Sequence, residues 1–216
     1  MKGIQWDILS KEISNSLQAP LPGIEAHKRM LPYFRPEEAL HSVPGARESA
    51  VLILLFPNAD AATNIVLIQR TEDGGVHSGQ IALPGGKREI SDPSLAHTAL
   101  REAQEEIHLE SHDLQIVGQL SPLYVNVSNF LITPIVALSR QMPQMRRAEH
   151  EVARILPTSL SELFNHKAEE KIMVRRAGNI LRWKVPAYKP QSDVVVWGAT
   201  AMILAELEWI CSRWNH

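Results

Sequence analysis

The segment "HSGQIALPGGKREISDPSLAHTALREAQEEIHLE", residues 77–110, decides how the rest of the chain is interpreted. A short apolar run ends at the pair Gly85-Gly86, and residues 93–107 then carry leucine, alanine and isoleucine at helical spacing. Asp92 is the predicted N-cap of this helix, because a carboxylate accepts hydrogen bonds from the free N–H groups of a first turn. The segment therefore predicts a strand, a glycine turn and an amphipathic helix in succession.

Three glutamates share one face of this predicted helix. A helix advances by about 100° per residue, which places Glu102, Glu105 and Glu106 within an arc of roughly 100° beside the apolar stripe. Like charges at these spacings repel one another. Two interpretations remain open: a solvated acidic face, or a site for a hard divalent cation, which prefers carboxylate oxygens as ligands.

The glycine pair favours the cation site. Gly85 and Gly86 have no side chains, so a phosphate oxygen can approach their backbone. A loop that a phosphate can approach, followed by a helix that carries several carboxylate side chains, is what the metal-assisted cleavage of a phosphoanhydride requires. The local sequence thus points to hydrolysis of a diphosphate.

Patterns outside this segment predict an α+β fold. Apolar runs bounded by turn residues predict strands at 49–56, 64–70, 80–83, 114–120 and 130–138, and a hairpin of 171–175 with 180–185. Helical spacing predicts helices at 4–18, 155–164 and 197–214. Five prolines in residues 19–47 predict irregular chain there. Strands scattered among a few helices favour α+β over a regular βαβ array.

Composition excludes several classes of protein. The chain has 216 residues, 44% of them hydrophobic, which suffices for one large core. A net charge of −2 predicts no nucleic-acid partner. The single Cys211 excludes an intramolecular disulfide and a cysteine-based zinc site. Because no apolar run reaches the roughly 20 residues of a membrane helix, and the amino-terminal residues lack a signal-peptide core, we expect a cytoplasmic protein without a membrane partner.

The pattern that begins at Gly86 resembles the Nudix box of the Nudix hydrolases. That box reads Gly, five residues, Glu, seven residues, then Arg-Glu-apolar-X-Glu-Glu-X-Gly-apolar; here residues 101–109 read REAQEEIHL. The resemblance implies that Glu102, Glu105 and Glu106 bind Mg²⁺ or Mn²⁺. It also implies that Arg101 orients these carboxylates, and that the fold is an α/β/α sandwich with a mixed β-sheet.

The resemblance also predicts the organisation of the chain. Residues 1–216 are expected to form one Nudix hydrolase domain. Residues 1–47 would be an N-terminal helical extension and a proline-rich wrap, residues 48–216 the core, and residues 86–109 the box.

The chain departs from the box pattern at three points. Asp92 stands where the family usually has Glu, and eight residues instead of seven separate it from Arg101. His108 replaces the glycine that normally ends the helix. Histidine is enriched in left-handed backbone conformations, so we expect it to end the helix as well. The Arg-Glu and Glu-Glu pairs are intact.

Residues outside the box are similar to those of the coenzyme A pyrophosphatase branch of the family, over about residues 48–205. The similarity is carried by residues 77–86, by residues 98–103 and by shorter segments near residues 131–136 and 196–201. It implies hydrolysis of coenzyme A or a derivative to 3',5'-ADP and 4'-phosphopantetheine. That branch has a Leu-Arg pair where this chain has Gly74-Gly75-Val76, so ADP-ribose or a dinucleotide stays open as the substrate. A Nudix-fold nucleotide sensor without turnover and an acidic-faced scaffold protein are further alternatives.

The predicted catalytic residues are Arg101, Glu105 and Glu151. The attacking water needs a base, for which Glu105 or an acid of the 140–151 loop, Glu149 or Glu151, is a candidate. A solvated loop acid is the alternative for each loop residue. The residues predicted to bind a small-molecule nucleotide substrate are Arg70, His77, Gly85, Gly86 and Lys87.

Each side chain of the predicted binding set has a structural alternative. Arg70 would grip a phosphate or form a surface salt bridge. His77 would contact the ligand or support its own loop, and Lys87 would neutralise a phosphate or remain solvated. The habit of the family predicts a homodimer.

Overall fold

The computed structural model describes residues 4–72, 78–176 and 179–214. The α-helices are α1 (Trp6–Gln18), α2 (Ile24–His27), α3 (Leu95–Ile107), α4 (Leu160–Asn165) and α5 (Gly198–Ser212). The strands are β1 (Arg47–Pro57), β2 (Thr63–Arg70), β3 (Ile81–Ala82), β4 (Gly85–Lys87), β5 (Gln115–Gln119), β6 (Leu123–Val125), β7 (Phe130–Leu138), β8 (Val152–Ser159), β9 (Lys167–Arg176), β10 (Asn179–Gln191) and β11 (Val194–Trp197). Two 3-10 turns lie at Lys28–Met30 and Glu37–Leu40.

The larger sheet is mixed, as the sequence led us to expect. Its strands follow the order β3-β2-β1-β7-β5, while β4 pairs with β1, β6 with β7 and β8 with β2. The central pair β1 and β7 is parallel, from Arg47↔Phe130 to Leu55↔Leu138, and β1 is antiparallel to both β2 and β4. The antiparallel pairing of β1 with β2 confirms the predicted adjacency of these two strands.

Helices cover both faces of this sheet. Ile53 and Leu55 of β1 belong to an apolar cluster that includes residues of α1 and α5, whereas Leu52 and Leu54 cluster with residues of α3. Successive side chains of a strand point to opposite faces, so the two clusters lie on opposite sides of the sheet. This explains why β1 is a continuous apolar run, and it confirms the α/β/α arrangement.

A smaller sheet of three strands has the order β11-β10-β9. The antiparallel pairing of β9 with β10, from Asn179↔Arg176 to Tyr188↔Lys167, confirms the predicted hairpin. The turn residues Ala177 and Gly178 lie outside the described residues.

The predicted helix at 155–164 is wrong over its first half. Residues up to Ser159 belong to β8, and α4 begins only at Leu160 with the Ser159 hydroxyl as its N-cap. Pro157, which suggested the start of a helix, instead lies opposite Val66 in β8. Among the described strands β8 pairs only with β2, and proline is tolerated on such an edge strand.

In the described part of the chain, we find no helix with the length and apolar character needed to cross a membrane.

Candidate metal and active site

Helix α3 carries the acidic residues, and both of its ends are defined by local interactions. The Ser94 hydroxyl accepts a hydrogen bond from the His97 backbone N–H at 3.2 Å, so Ser94 is the N-cap and the prediction of Asp92 in that role is wrong. His108 ends the helix in the left-handed conformation, with φ 48° and ψ 40°. The residue that replaces the usual glycine therefore takes the backbone conformation that this position requires.

The three glutamates of α3 differ strongly in exposure. The side chain of Glu106 is 2% exposed, that of Glu102 is 17% exposed and that of Glu105 is 54% exposed. The gradient follows from the helix geometry, since Glu106 lies nearest to the apolar stripe. A purely solvated acidic face would not bury two of its carboxylates.

Glu106 is buried between the end of β2 and the glycine turn. Its Oε1 accepts a hydrogen bond from Nη1 of Arg70 at 3.1 Å, and its Oε2 accepts one from the backbone N–H of Gly85 at 2.9 Å. Burial raises the pKa of Glu106 to about 7, even though the Gly85 hydrogen bond and the charge of Arg70 act in the opposite direction. These two donors therefore compensate only part of the cost of burying the carboxylate.

Arg101 connects the carboxylates of the site. It donates to Asp92 through Nε at 3.1 Å, to Glu102 at 2.9 Å, and to Glu105 at 3.0 and 3.2 Å. Its Nη2 also donates to the carbonyl oxygen of Lys87 in β4 at 3.0 Å. The hydrogen bond with Asp92 is the main reason why the pKa of Arg101 is raised. The contacts of Arg101 with three carboxylates are compatible with a role in orienting them, which stays a prediction.

Asp92 holds Arg101 in place instead of capping the helix. Its carboxylate is fully buried and accepts hydrogen bonds from Arg101, from the Thr98 hydroxyl at 2.9 Å and from the Glu89 backbone N–H at 2.9 Å. His97 Nδ1 lies 3.0 Å from the same carboxylate. The Arg101 hydrogen bond is the largest cause of the lowered pKa of Asp92, and it favours the ionised form of this carboxyl group. Asp92 therefore contacts Arg101 although the spacing between them is one residue longer than in the Nudix box pattern.

The two glycines allow close packing in two different directions. A Cβ at residue 86 would collide with the carboxylate of Glu102. At Gly85, φ is +152° and a Cβ would meet the backbone of Ala50 and Val51 in β1. Gly86 therefore leaves the space that the Glu102 carboxylate fills, while Gly85 lets β4 approach β1. Contact of either backbone with substrate stays a prediction.

The 140–151 loop lies against the end of α3. The backbone N–H of Ala148 donates to the carbonyl oxygen of Glu106 at 2.9 Å, and that of Arg146 donates to the carbonyl oxygen of Ile107 at 2.9 Å. The charge of Glu151, a half-exposed residue 3.3 Å from His150 Nε2, contributes to raising the pKa of Glu102 and Glu106, after the larger effect of burial. The structure thus brings Glu151 close to the acidic face. Glu149 is exposed and pairs with Arg147 at 3.4 Å.

The donor chemistry of the acidic face fits a hard divalent cation. Glu102, Glu105, Glu106 and Glu151 supply carboxylate oxygens, which Mg²⁺ and Mn²⁺ prefer, and the Glu102 carboxylate fills the space left open by Gly86. In the described residues, however, no three acidic or histidine side chains are already grouped as metal ligands. Arg101 contacts Glu102 and Glu105 instead, and Arg70 contacts Glu106. Metal binding would therefore require some of them to turn away from the arginines.

The remaining predicted residues are placed unequally. Arg70 lies at the end of β2 with its guanidinium against Glu106. Lys87 is exposed at the end of β4, and within residues 4–72, 78–176 and 179–214 its Nζ has no hydrogen-bond or ion-pair partner. His77 lies outside the described residues. The sequence does not predict the contact of Arg70 with Glu106, because the two residues are 36 positions apart and no local pattern connects them.

Two of the cavities among the described residues lie at opposite ends of the parallel pair β1 and β7. One of about 830 Å³ lies near the start of α1 and the end of β7, where Trp6, Leu138 and Arg140 line it. None of its lining residues is a predicted site residue. A smaller cavity of about 330 Å³ lies at the start of β1 and the end of β4 and is lined in part by Lys87.

Comparisons with known proteins agree with this geometry. The NUDIX domain family matches residues 46–183, which is more than half of the chain. The chain is 34% identical over 169 residues to "Uncharacterized Nudix hydrolase NudL" of Pectobacterium atrosepticum, covering 78% of this chain and 85% of that protein. It is also 34% identical over 161 residues to the protein of the same name from Photorhabdus laumondii, covering 74% and 83% of the two chains.

Among solved structures, a Nudix hydrolase from M. smegmatis, RenU, aligns with a TM-score of 0.50 at 16% sequence identity. The alignment covers 78% of this chain and 87% of the other. At this identity the likeness concerns the fold alone.

Proposed function

The chain belongs to the Nudix hydrolase family, and from this premise we propose that it hydrolyses the diphosphate bond of coenzyme A or a coenzyme A derivative. Nudix hydrolases act on small nucleotide substrates and generally use divalent metals such as Mg²⁺ or Mn²⁺. The chain is accordingly a pyrophosphohydrolase. The substrate, the metal ion and the roles of individual residues are the proposed part.

One observation carries the assignment of the site: two carboxylates of α3, those of Glu102 and Glu106, are withdrawn from solvent beside a glycine turn. A helix face that served only solubility would keep its acids in water. Two neighbouring buried acids repel each other, and a divalent cation removes that repulsion while it attracts a diphosphate. Burial therefore favours the cation site over the solvated face.

The chemistry follows from the placement of the surrounding side chains. A bound divalent cation would polarise the diphosphate and lower the pKa of the attacking water. Water attacks one phosphorus atom, the P–O bond of the bridge breaks, and Glu105 or Glu151 accepts the proton of the water. Arg101 keeps the carboxylates of Asp92, Glu102 and Glu105 in position through its hydrogen bonds. Arg70 and Lys87 offer positive charge to phosphate groups of the substrate.

Coenzyme A is proposed as the substrate because residues 77–86 and 98–103 resemble the coenzyme A pyrophosphatase branch. ADP-ribose or a dinucleotide would need the same chemistry, and a nucleotide sensor would need none of it. The purified protein should be incubated with coenzyme A, ADP-ribose and diadenosine tetraphosphate, with Mg²⁺ or Mn²⁺, and the products separated by chromatography. We expect 3',5'-ADP and 4'-phosphopantetheine. Turnover of another nucleotide alone would contradict the substrate, and no turnover of any would favour the sensor.

The site itself is tested with Glu105→Gln and Glu106→Gln. Each variant should lose turnover by more than about 100-fold while keeping the circular dichroism spectrum of the wild type, since replacing even an indirect supporter of a metal ligand costs about 10–100-fold. Glu110→Gln is the matched control, because Glu110 is an exposed acid just beyond α3. Wild-type turnover in both site variants would rule out the assigned carboxylates.

We also propose that residues 1–216 form one domain, with residues 1–47 as an integral part of it. The homodimer stays a prediction of the resemblance, which sedimentation equilibrium would test.

A further inference from the structure

The smaller cavity is a cleft between the start of β1 and the end of β4. Its volume is about 330 Å³. The residues that line it are Arg47, Glu48, Lys87, Arg88, Glu89 and Ile90. We refer to these six residues as the β1–β4 cleft. The antiparallel pairing of Ser49 with Lys87 brings the two segments together.

Two of the three cations of the β1–β4 cleft lack an acidic partner. Arg47 donates to the carbonyl oxygen of Ser128 at 2.7 Å, and its guanidinium carbon lies 4.1 Å from the centroid of the Phe130 ring. Both contacts hold the side chain without neutralising its charge. Within the described part of the chain, the Nζ of Lys87 has neither an ion pair nor a hydrogen bond.

The third cation of the cleft, Arg88, pairs with one of its two acids, Glu48. Nη1 of Arg88 donates to Glu48 at 2.7 Å, and its Nη2 donates to the carbonyl oxygen of Asp92 at 3.3 Å. Glu89 is exposed, and the Ser91 hydroxyl donates to its carboxylate at 3.5 Å. One acid thus remains without a cation in the cleft, against the two cations Arg47 and Lys87.

The cleft adjoins the acidic face through β4. The carbonyl oxygen of Lys87 accepts from Arg101, and the carboxylate of Glu102 fills the space that a Cβ at the preceding residue, Gly86, would take. The Ser49 hydroxyl donates to the carbonyl oxygen of Gly86 at 2.7 Å, which fixes β4 against β1. Because successive side chains of a strand point to opposite faces, Gly86 faces Glu102, whereas the side chains of Arg47 and Lys87 leave the sheet on the other face. Among the described strands β4 pairs only with β1, so a ligand whose diphosphate reaches Glu102 can extend into the cleft around the free edge of β4.

From this arrangement we propose that the β1–β4 cleft binds a phosphate group of the substrate that lies outside the hydrolysed diphosphate, with Arg47 and Lys87 as its ligands. The inference rests on the proposed function and defines its substrate class: nucleotides with a third, separate phosphate. Arg70 and Arg101 lie beside the carboxylates Glu106 and Glu102 that face the diphosphate, so a phosphate outside the diphosphate needs other cations. Arg47 and Lys87 are available, because neither is paired with an acid. The fully exposed side chain of Ile90 offers an apolar surface at the same cleft for the adjoining nucleoside.

The test compares coenzyme A with dephospho-coenzyme A, which differ only in the 3'-phosphate. We expect the wild type to show a kcat/KM at least about 10-fold higher for coenzyme A, the scale of one hydrogen bond to a charged group. In Arg47→Met and Lys87→Met, the ratio of the two kcat/KM values should fall towards one. Arg213→Met, which removes an exposed arginine outside the cleft, should keep the wild-type ratio.

The outcomes separate this inference from the proposed function. Equal kcat/KM values for the two substrates in the wild type would overturn the phosphate site while leaving the proposed hydrolysis intact. A wild-type preference that persists unchanged in both variants would overturn the assignment to Arg47 and Lys87. If neither substrate is hydrolysed, the proposed function fails. The phosphate site is then tested by calorimetry, which compares the affinities of the protein for 3',5'-ADP and for 5'-AMP. Equal affinities for the two nucleotides would overturn the phosphate site.

Discussion

Two buried glutamates in different regions of the molecule illustrate how a carboxylate serves structure or function. Glu206 of α5 accepts hydrogen bonds from the Gly23 backbone at 2.9 Å and from the Ser121 backbone and hydroxyl at 3.0 and 2.7 Å, and His27 Nε2 lies 3.3 Å away. Glu106 of α3 has one backbone donor and one arginine. Both side chains are almost fully removed from solvent.

The pKa values of these two carboxyl groups shift in opposite directions. Burial alone would raise the pKa of Glu206, but its hydrogen bonds from His27, Ser121 and Gly23 lower it. Burial raises the pKa of Glu106, and its two donors do not reverse this. A buried acid that is fully surrounded by donors stabilises the fold, whereas an incompletely satisfied acid in a cleft is a candidate for binding a ligand. The contrast separates the structural acid from the functional one.

The largest expected effect on stability is that of Glu206→Ala. The substitution leaves the donors of Gly23 and Ser121 without their buried acceptor, so we expect the free energy of unfolding to fall by about 3–5 kcal/mol. Urea denaturation measures the loss. The control is Glu12→Ala, which removes an exposed glutamate of α1. A change below about 1 kcal/mol for Glu206→Ala would break the comparison, because Glu206 would then not be a structural acid.

Substitutions of Gly85 and Gly86 should distinguish a structural from a functional position within the active site itself. Gly85→Ala places a methyl group against the β1 backbone at a positive φ, so we expect a loss of about 3 kcal/mol in the free energy of unfolding. Gly86→Ala meets only the tip of Glu102, which can move, so the fold should persist while kcat/KM falls by about 10-fold or more. Thermal denaturation and turnover measured on both variants provide the test. Equal stability losses in the two would contradict the assignment.

Glu106→Gln should change stability in the direction opposite to Glu206→Ala. The pKa of Glu106 is about 7 in the folded protein and near 4.3 in the unfolded chain, so ionisation destabilises the metal-free protein increasingly as the pH rises between these values. At pH 8 with a chelator, the variant should be more stable than the wild type by about 2 kcal/mol. The difference should shrink towards pH 4.5. A difference that stays constant with pH would exclude the ionisation of Glu106 as its cause.

The smallest expected effect is that of His108→Gly at the end of α3. Glycine adopts the left-handed conformation without steric cost, so the free energy of unfolding should rise by about 0.5–1 kcal/mol. Turnover should remain unchanged, because the substitution leaves the carboxylates in place. Ala61→Gly, at another positive φ far from the site, is the matched comparison. A loss of stability in His108→Gly would show that the packing of the imidazole stabilises the fold by more than the left-handed backbone conformation of His108 destabilises it.

The sequence predicted those features that depend on a local pattern. The apolar runs identified β1, β2 and β7, and helical spacing placed Ala99, Ala103 and Ile107 in the core. The spacing of the box placed the glutamates on one face of α3. These features are local because a strand or a helix repeats within a few residues.

The features that the sequence did not predict depend on contacts between distant residues. The groups that donate to Glu206 come from positions up to 183 residues away, and no local pattern distinguishes Glu206 from an exposed helix glutamate. Asp92 was assigned to a cap because the position before a helix favours one, although Arg101 and Thr98 bind it instead. Pro157 suggested a helix because nothing in the sequence shows that β8 is an edge strand.

The central claim is that the acids of α3 bind a divalent cation, and Mn²⁺ titration followed by electron paramagnetic resonance tests it most directly. The wild type should bind Mn²⁺ saturably, Glu110→Gln should bind it with the same affinity, and Glu106→Gln should bind it at least about 10-fold more weakly. Wild-type affinity in Glu106→Gln, or no binding by the wild type, would contradict the claim.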